Sequence, residues 1–375
     1  MIAIRYAAAH GPQRAGWQLA DTLRGYFHLR RYAADWFTAA DAALLAARHE
    51  NDPAAEAAAR HSLGTAYRSV GEHGEALRQY HEALRLARVA GWPQSEATTL
   101  GNLGIVSRKI GRLPAAVRWL EEALAIDRRL GRRAGEANNL SMLAEAYLEM
   151  GRLDDAFRHF AAGLELSRAV GSLHGEALAL TGLGRAGLEL GRLDEAWDHL
   201  IAAKDRYLRV GDRDGTAVTD CYLAWLECDR GRPGPARAQA LGALETARLI
   251  GDRQTEAIAL NVAGLADRHL GRHRGAMEKH RAARDAARET ASRRLEGDAL
   301  VGLAAAGLRL GRHDEARSYA REALELARQD GYEVLVGDAH AMLAEIHHAR
   351  RDGQAARHAD QAEESRRRTG HRPAA

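Results

Sequence analysis

The chain has almost no cysteine, few aromatics, hardly any lysine and no long apolar run. Each shortage removes a class of protein. Its 375 residues hold two cysteines, Cys221 and Cys228. They lie seven apart on one expected helix that rises about 1.5 Å per residue, so they stand roughly 10 Å apart, too far for a disulfide. Both read as reduced thiols. No apolar stretch approaches the ~20 residues that span a bilayer. The N-terminus has no charged segment leading into an apolar core and a small-residue cleavage site. The chain reads as cytoplasmic. Aromatics make up 5% against 46% hydrophobic residues in all; small and aliphatic side chains in that mix suit alanine-rich amphipathic helices, not β-sandwiches. Lysine occurs only at Lys109, Lys204 and Lys279, and 54 basic residues against 51 acidic ones leave a net +3. That near-balance exerts no pull toward nucleic acid or an acidic membrane surface. Catalytic signatures are missing as well: there is no nucleophile elbow, no GxxxxGK[ST] phosphate loop and no HExxH.

What is present is a forty-residue period. A glycine recurs at Gly71, Gly111, Gly151, Gly191, Gly231, Gly271 and Gly311, and five residues later stands Ala76, Ala116, Ala156, Ala196, Ala236, Ala276 or Ala316. Leucine marks the first half of the unit at Leu63, Leu103, Leu143, Leu183, Leu223, Leu303 and Leu343, with Ala263 as the gap. A fixed period of this length signals a stacked array of small units, each too short to bury its apolar face alone. Within 100–139, apolar or small positions at 100, 103, 104, 106, 107 and 110 give one helical face, and 116, 117, 120, 123, 124 and 130 give a second. Gly111 ends the first helix by taking the left-handed conformation, and Gly131 does the same for the second. Each unit is therefore a helix hairpin. The recurring alanine marks the place where its two helices approach closely.

Three segments follow. Residues 1–54 comprise a short apolar helix ending near Gly11–Pro12 and a degenerate unit in which Arg31 replaces the glycine and Trp36 the alanine. Trp17, Tyr26, Phe27, Tyr32, Trp36 and Phe37 concentrate aromatic bulk there, expected as a core cluster that seals the start of the stack. Ile2, Ile4 and Tyr6 make a poor outer cap, so this end reads as one preceded by further protein, or as a surface through which two copies pair. Residues 55–369 carry eight regular units, the last with a polar second helix suited to a terminal cap. Residues 370–375 read as a disordered tail.

Leu103–Gly104, Gly111, Ala116, Leu120 and Ala123 resemble the tetratricopeptide repeat, in a form longer than the usual thirty-four residues. The resemblance implies an all-α, right-handed solenoid of antiparallel helix hairpins whose first helices line a concave groove. On that geometry the inward candidates are His61, Arg68, Asn102, Arg108, Lys109, Asn138, Arg185, Trp225, Asn261 and Arg268. Asn102 matches an asparagine that peptide-binding members use for backbone contacts. Asn can pair with both polar groups of an extended peptide, and Arg or Lys can hold a carboxylate. The competing reading makes these ordinary interhelical or solvated residues, and Trp225 a packing residue. The opening segment, with GDRQTEAIAL-type joints later in the chain, also resembles the C-terminal sensor of actinobacterial STAND regulators, where DNA-binding and nucleotide-switch domains precede the repeats.

Other clusters point to little chemistry. His340, His347 and His348, like His269, His273 and His280, lack metal-site spacing and read as solvated or helix-end histidines. Arg112, Arg152, Arg192, Arg232, Arg272 and Arg312 follow the repeat glycine, but nearby acidic residues make them turn pairs, not a phosphate-tracking stripe. The expectation is a non-catalytic module with no cofactor or metal, binding a protein or peptide segment or a small effector, as the sensor arm of a transcriptional regulator. The rival is a constitutive scaffold between protein partners.

Overall fold

The computed structural model describes residues 2–30 and 32–373, and among these the chain forms 19 helices and no strand. The first are α1 (Ile2–His10), α2 (Gln13–Arg30) and α3 (Ala33–His49). Eight hairpins follow: α4 and α5 (Pro53–Ser69, His73–Val89), α6 and α7 (Pro93–Lys109, Leu113–Leu130), α8 and α9 (Arg133–Glu149, Leu153–Ala169), and α10 and α11 (Leu173–Glu189, Leu193–Val210). The remainder are α12 and α13 (Arg213–Asp229, Pro233–Ile250), α14 and α15 (Arg253–His269, His273–Glu289), α16 and α17 (Arg293–Arg309, His313–Asp330), and α18 and α19 (Glu333–Ala349, Ala355–Thr369). Two compact units result, one of residues 1–110 with 114–142, the other of 111–113 with 143–375. The all-α repeat architecture is the one expected from the period.

The turns explain the regularity. Gly111, Gly131, Gly211 and Gly251 all have φ between 66° and 78°, the left-handed conformation that only glycine adopts without strain. Where the outer-turn glycine is absent, Asn51 and Ala291 take the same conformation at φ 50°. Helix starts are stated in the sequence too. Asp52 and Asp252 accept backbone N–H bonds at the beginnings of α4 and α14, and Pro53, Pro93 and Pro233 occupy first-turn positions.

Packing follows a small-against-large rule inside each hairpin. Ala76, Ala116, Ala196, Ala276 and Ala316 are fully buried. Opposite them, Gly64, Gly104, Gly184 and Gly264 lie against Tyr80, Leu120, Leu200 and His280, so closely that an added Cβ would come within 2.5–2.8 Å of those side chains. The large residue thus lodges where its partner helix has no side chain. Within the second unit the first helices α10, α12, α14, α16 and α18 also touch one another side by side, which puts them on the inner side of that stack.

Several expectations need correction. His280, His340 and His347 are buried, not solvated: His280 fills the large-residue position between Gly264 and Gly302, and His340 and His347 close on His358 of the last helix. The aromatic cluster is split. Phe27 and Trp36 are in the core, with Trp36 Nε1 donating to Ser62 Oγ at 2.9 Å, while Tyr26 and Tyr32 remain exposed. Ile4 is buried, but Ile2 and Tyr6 face outward. Arg31 lies outside the described residues, as do 374–375 of the expected disordered tail. In the described part of that tail, His371 packs against the protein with a side-chain exposure of 10%.

Candidate binding surfaces on the first helices

In the first unit, His61 is the centre of a polar chain. Its Nδ1 lies 3.1 Å from Arg24 Nη1, and its Nε2 lies 2.9 Å from the amide of Asn102. A guanidinium can only donate, so Nδ1 accepts from Arg24. Burial, with Arg24 and Arg68 alongside, pushes the His61 pKa down to about 3. The imidazole is therefore a neutral linker between helices α2, α4 and α6. His61 and Asn102 are thus brought together as expected, but they bond each other. Arg68, Arg108 and Lys109 are half-buried, and the Arg68 Nε has no hydrogen-bond partner. Asn138 is exposed, whereas its neighbour Asn139 is buried and donates to Asp127 Oδ2 at 2.9 Å.

In the second unit the inner side is ionic. Arg185 Nη1 donates to Glu145 Oε2 at 2.5 Å and its guanidinium lies over the Tyr222 ring, 5.0 Å from the centroid. Burial opposes the Arg185 charge, but Glu145 outweighs it and raises the pKa. Further along, Arg294 pairs with Asp298 at 2.9 Å and lies 3.7 Å from Glu189. Burial beside Glu189 pushes the Asp229 carboxyl up to about 7. Arg268 has a buried Nε without a hydrogen-bond partner; burial lowers its pKa while Glu345 opposes that.

The other two candidates of this unit are mainly packing residues. Trp225 is half-buried between two clusters, one holding Cys221, Ala224, Ala240 and Leu260, the other Leu188, Leu200 and Leu226. Asn261 donates to the Leu295 carbonyl at 3.3 Å and its Oδ1 faces His280 Nδ1 at 3.1 Å. Cys221 and Cys228 are free and buried, and burial raises both thiol pKa values, that of Cys228 to about 12. Both thiols stay protonated at neutral pH. Among the described residues no three His, Cys, Asp or Glu are placed to hold a metal ion, and no helix is long and apolar enough to cross a membrane.

The arginine ladder divides as its neighbours require. Arg152 pairs with Asp155 at 2.5 Å, Arg232 with Glu227 at 2.8 Å and Arg312 with Glu315 at 3.4 Å. A second ladder escaped sequence reasoning: Arg48–Glu56, Arg88–Glu96, Arg128–Glu136, Arg248–Glu256 and Arg288–Glu296, at 2.6–3.3 Å. Its signal was the eight-residue spacing across each outer turn. Arg294, Asp298, Asp338 and His371 were also missed, because no repeat of one residue type marks them.

Models of the tetratricopeptide repeat match residues 54–129, 95–169 and 135–199, and again 297–330. Residues 54–199 and 297–330 are thus tetratricopeptide repeats by sequence. No curated protein matches it by sequence. Solved tetratricopeptide-repeat structures do match by fold. A Rap protein complexed with Competence and Sporulation Factor has 15% identity and a TM-score of 0.64, covering 74% of this chain and 76% of that one. NprR in complex with its cognate peptide NprX has 14% identity and a TM-score of 0.62, covering 88% and 97%. A STAND ATPase with a tetratricopeptide-repeat sensor from Pyrococcus horikoshii has 15% identity and a TM-score of 0.50; the match covers 88% of this chain but 52% of that one. At these identities the likeness establishes the fold.

Proposed function

We propose that this chain is a non-catalytic binding module that takes an extended peptide or protein segment on the first helices of its hairpins. The observation that carries the reading is the ionic inner side of the second unit. Carboxylates of Glu189, Asp229, Asp298 and Asp338 stand there with Arg185, Arg268 and Arg294, on positions that vary between repeats while the packing positions do not. Variable charges on an otherwise constant scaffold suit recognition of a segment bearing charges of both signs. The Rap and NprR structures, which hold peptides on the same fold, support the reading. We further propose that the module is the sensing arm of a transcriptional regulator, with DNA-binding and nucleotide-switch domains in the same system. The resemblance of its opening segment to STAND sensors supports that step, and so does the fold it shares with one such sensor.

The test is selection of a displayed random peptide library on the purified chain, followed by titration of the enriched sequences. Binding stabilises the folded state by mass action, so a ligand at 100 times its Kd should add about 2.7 kcal/mol to unfolding. Arg268→Gln should weaken the selected peptides at least tenfold while leaving the melting temperature within a few degrees. If no sequence enriches, or enriched peptides bind the variant equally well, the peptide reading fails. Stabilisation only by a small molecule would point to an effector, and by whole protein partners only, to a scaffold.

A further inference from the structure

The segment after α19 is where the structure departs furthest from a repeat. Gly370 has a left-handed φ of 76° and turns the chain out of the helix. His371 then enters the inner side of the second unit. Its Nδ1 lies 2.9 Å from Glu189 Oε2 and its Nε2 lies 3.5 Å from Asp338 Oδ1. The Arg372 N–H donates to the Glu189 carbonyl at 2.9 Å, 183 positions earlier in the chain. Gly370 lies against Leu190, and the Arg372 side chain against Gly191. Three successive residues therefore run along the C-terminal end of α10 and make the contacts an extended peptide would make: a cationic side chain between two carboxylates, and a backbone N–H on an unsatisfied helix-end carbonyl.

Charge explains why this place accepts a cation. Glu189, Asp298 and Asp338 lie around Arg294, and Asp229 stands beside Glu189 and Arg268. Arg185 also acts on Glu189 but is bonded to Glu145, so the four carboxylates outnumber the arginines that face them, and a further cation relieves their repulsion. Burial alone would lower the His371 pKa, yet Asp338 and Glu189 outweigh it and raise it to about 10. The imidazole is thus held as imidazolium at neutral pH.

We infer that residues 370–372 are an intramolecular occupant of the acidic inner face, which a basic peptide segment must displace in order to bind. This rests on the peptide-binding reading above and adds to it the ligand's chemistry: a histidine or arginine followed by a free backbone N–H. In the full chain the tail is present at high effective concentration, so it lowers the apparent affinity of any competitor by the fraction of time the face is closed.

The experiment uses the full chain and its His371→Asp variant, in which an anion among four carboxylates expels the segment. The probe is a fluorescein-labelled peptide of residues 366–373, RRRTGHRP, followed by anisotropy. His371→Asp should bind it at least tenfold more tightly than the unaltered chain, and His371→Ala should shift in the same direction by less. Adding Glu189→Gln and Asp338→Asn to His371→Asp should abolish the gain, and a probe carrying His371→Ser should bind at least tenfold more weakly. Circular dichroism checks that each variant keeps its helix content. Equal affinity in the unaltered chain and both His371 variants would overturn the inference. Hydrogen exchange gives an independent readout: the Arg372 amide should be protected in the unaltered chain and lose that protection in His371→Asp. An Arg372 amide that exchanges freely from the start would also overturn it. Failure of the broader reading looks different, since library peptides would then bind neither the unaltered chain nor the His371 variants, whatever the exchange of Arg372.

Discussion

Replacing Gly184 by alanine sets two known effects against each other at one position. Alanine is favoured over glycine in a helix interior by about 0.8–1.0 kcal/mol. Against that, the new Cβ would lie 2.5 Å from Leu200 Cγ, 2.6 Å from Leu200 Cδ2 and 3.3 Å from the Ala196 carbonyl oxygen. Leu200 is fully buried and cannot swing into solvent, so the overlap forces it off its rotamer or parts the helices, at about 1–3 kcal/mol. The net expectation for Gly184→Ala is a loss of up to about 2 kcal/mol. Gly242 supplies the control: it lies within α13, exposed, and an added Cβ would meet nothing within 4 Å. Gly242→Ala should therefore gain most of the ~1 kcal/mol of propensity. Urea unfolding followed by far-UV circular dichroism reads both through the shift in midpoint at constant slope. A double-mutant cycle sharpens the test. Leu200→Ala alone should cost about 2–5 kcal/mol. It should cost less in the Gly184→Ala background, because the new methyl occupies part of the vacated space. If Gly184→Ala proves as stable as Gly242→Ala, or the pair is additive within about 0.5 kcal/mol, the small-against-large account of the hairpin is wrong.

Other consequences can be checked with the same measurements. Ala291→Gly should raise the melting temperature, since alanine at φ 50° bears about 1–2 kcal/mol of strain that glycine relieves; no change would show the turn to be unstrained. Trp225→Ala should cost about 2–4 kcal/mol by emptying the seam between its two apolar clusters. If stability is untouched and peptide binding is lost, Trp225 is an anchor and not a packing residue. Acid should destabilise the fold early. His61 and His280 have pKa values near 3 and His340 near 4, pushed down first by burial and then by nearby cations, Arg24 and Arg68 for the first, Arg268 and Lys279 for the second, Arg328 and Arg357 beside His358 for the third. The unfolded chain takes up these protons near pH 6.5 while the folded chain does not, so stability should fall as the pH drops from about 6.5 toward 4. A melting temperature that stays flat down to pH 4.5 would contradict that. His371 works in the opposite sense. With its pKa raised to about 10, its contribution is fully present below about pH 6.5 and is lost as the pH rises through 10.

Much of this molecule was legible in one dimension. Helix ends, turn glycines and the buried alanines recur every forty residues, and each has a local cause: a left-handed turn that only glycine takes easily, or a contact too close for a larger side chain. Such causes act within one hairpin, so the period reports them directly. The candidate site was only partly legible, because an inward helical position says where a side chain points and not what it meets. Arg185 meets Glu145 and Tyr222, Asn261 is tied to His280 and the Leu295 carbonyl, and His61 is shared between Arg24 and Asn102. Those partners sit on neighbouring helices, and only the stacking brings them within bonding distance. The same holds for His280: the period marks its position as a large-residue site, held elsewhere by Tyr80, Leu120, Phe160 and Leu200, and packing alone decides that imidazole fills it. The tail is the extreme case. Nothing periodic links His371 to Glu189, which precedes it by 182 positions. The contact exists because the inner face gathers carboxylates from separate hairpins and has too few cations of its own, a charge imbalance that arises only once the repeats are folded together.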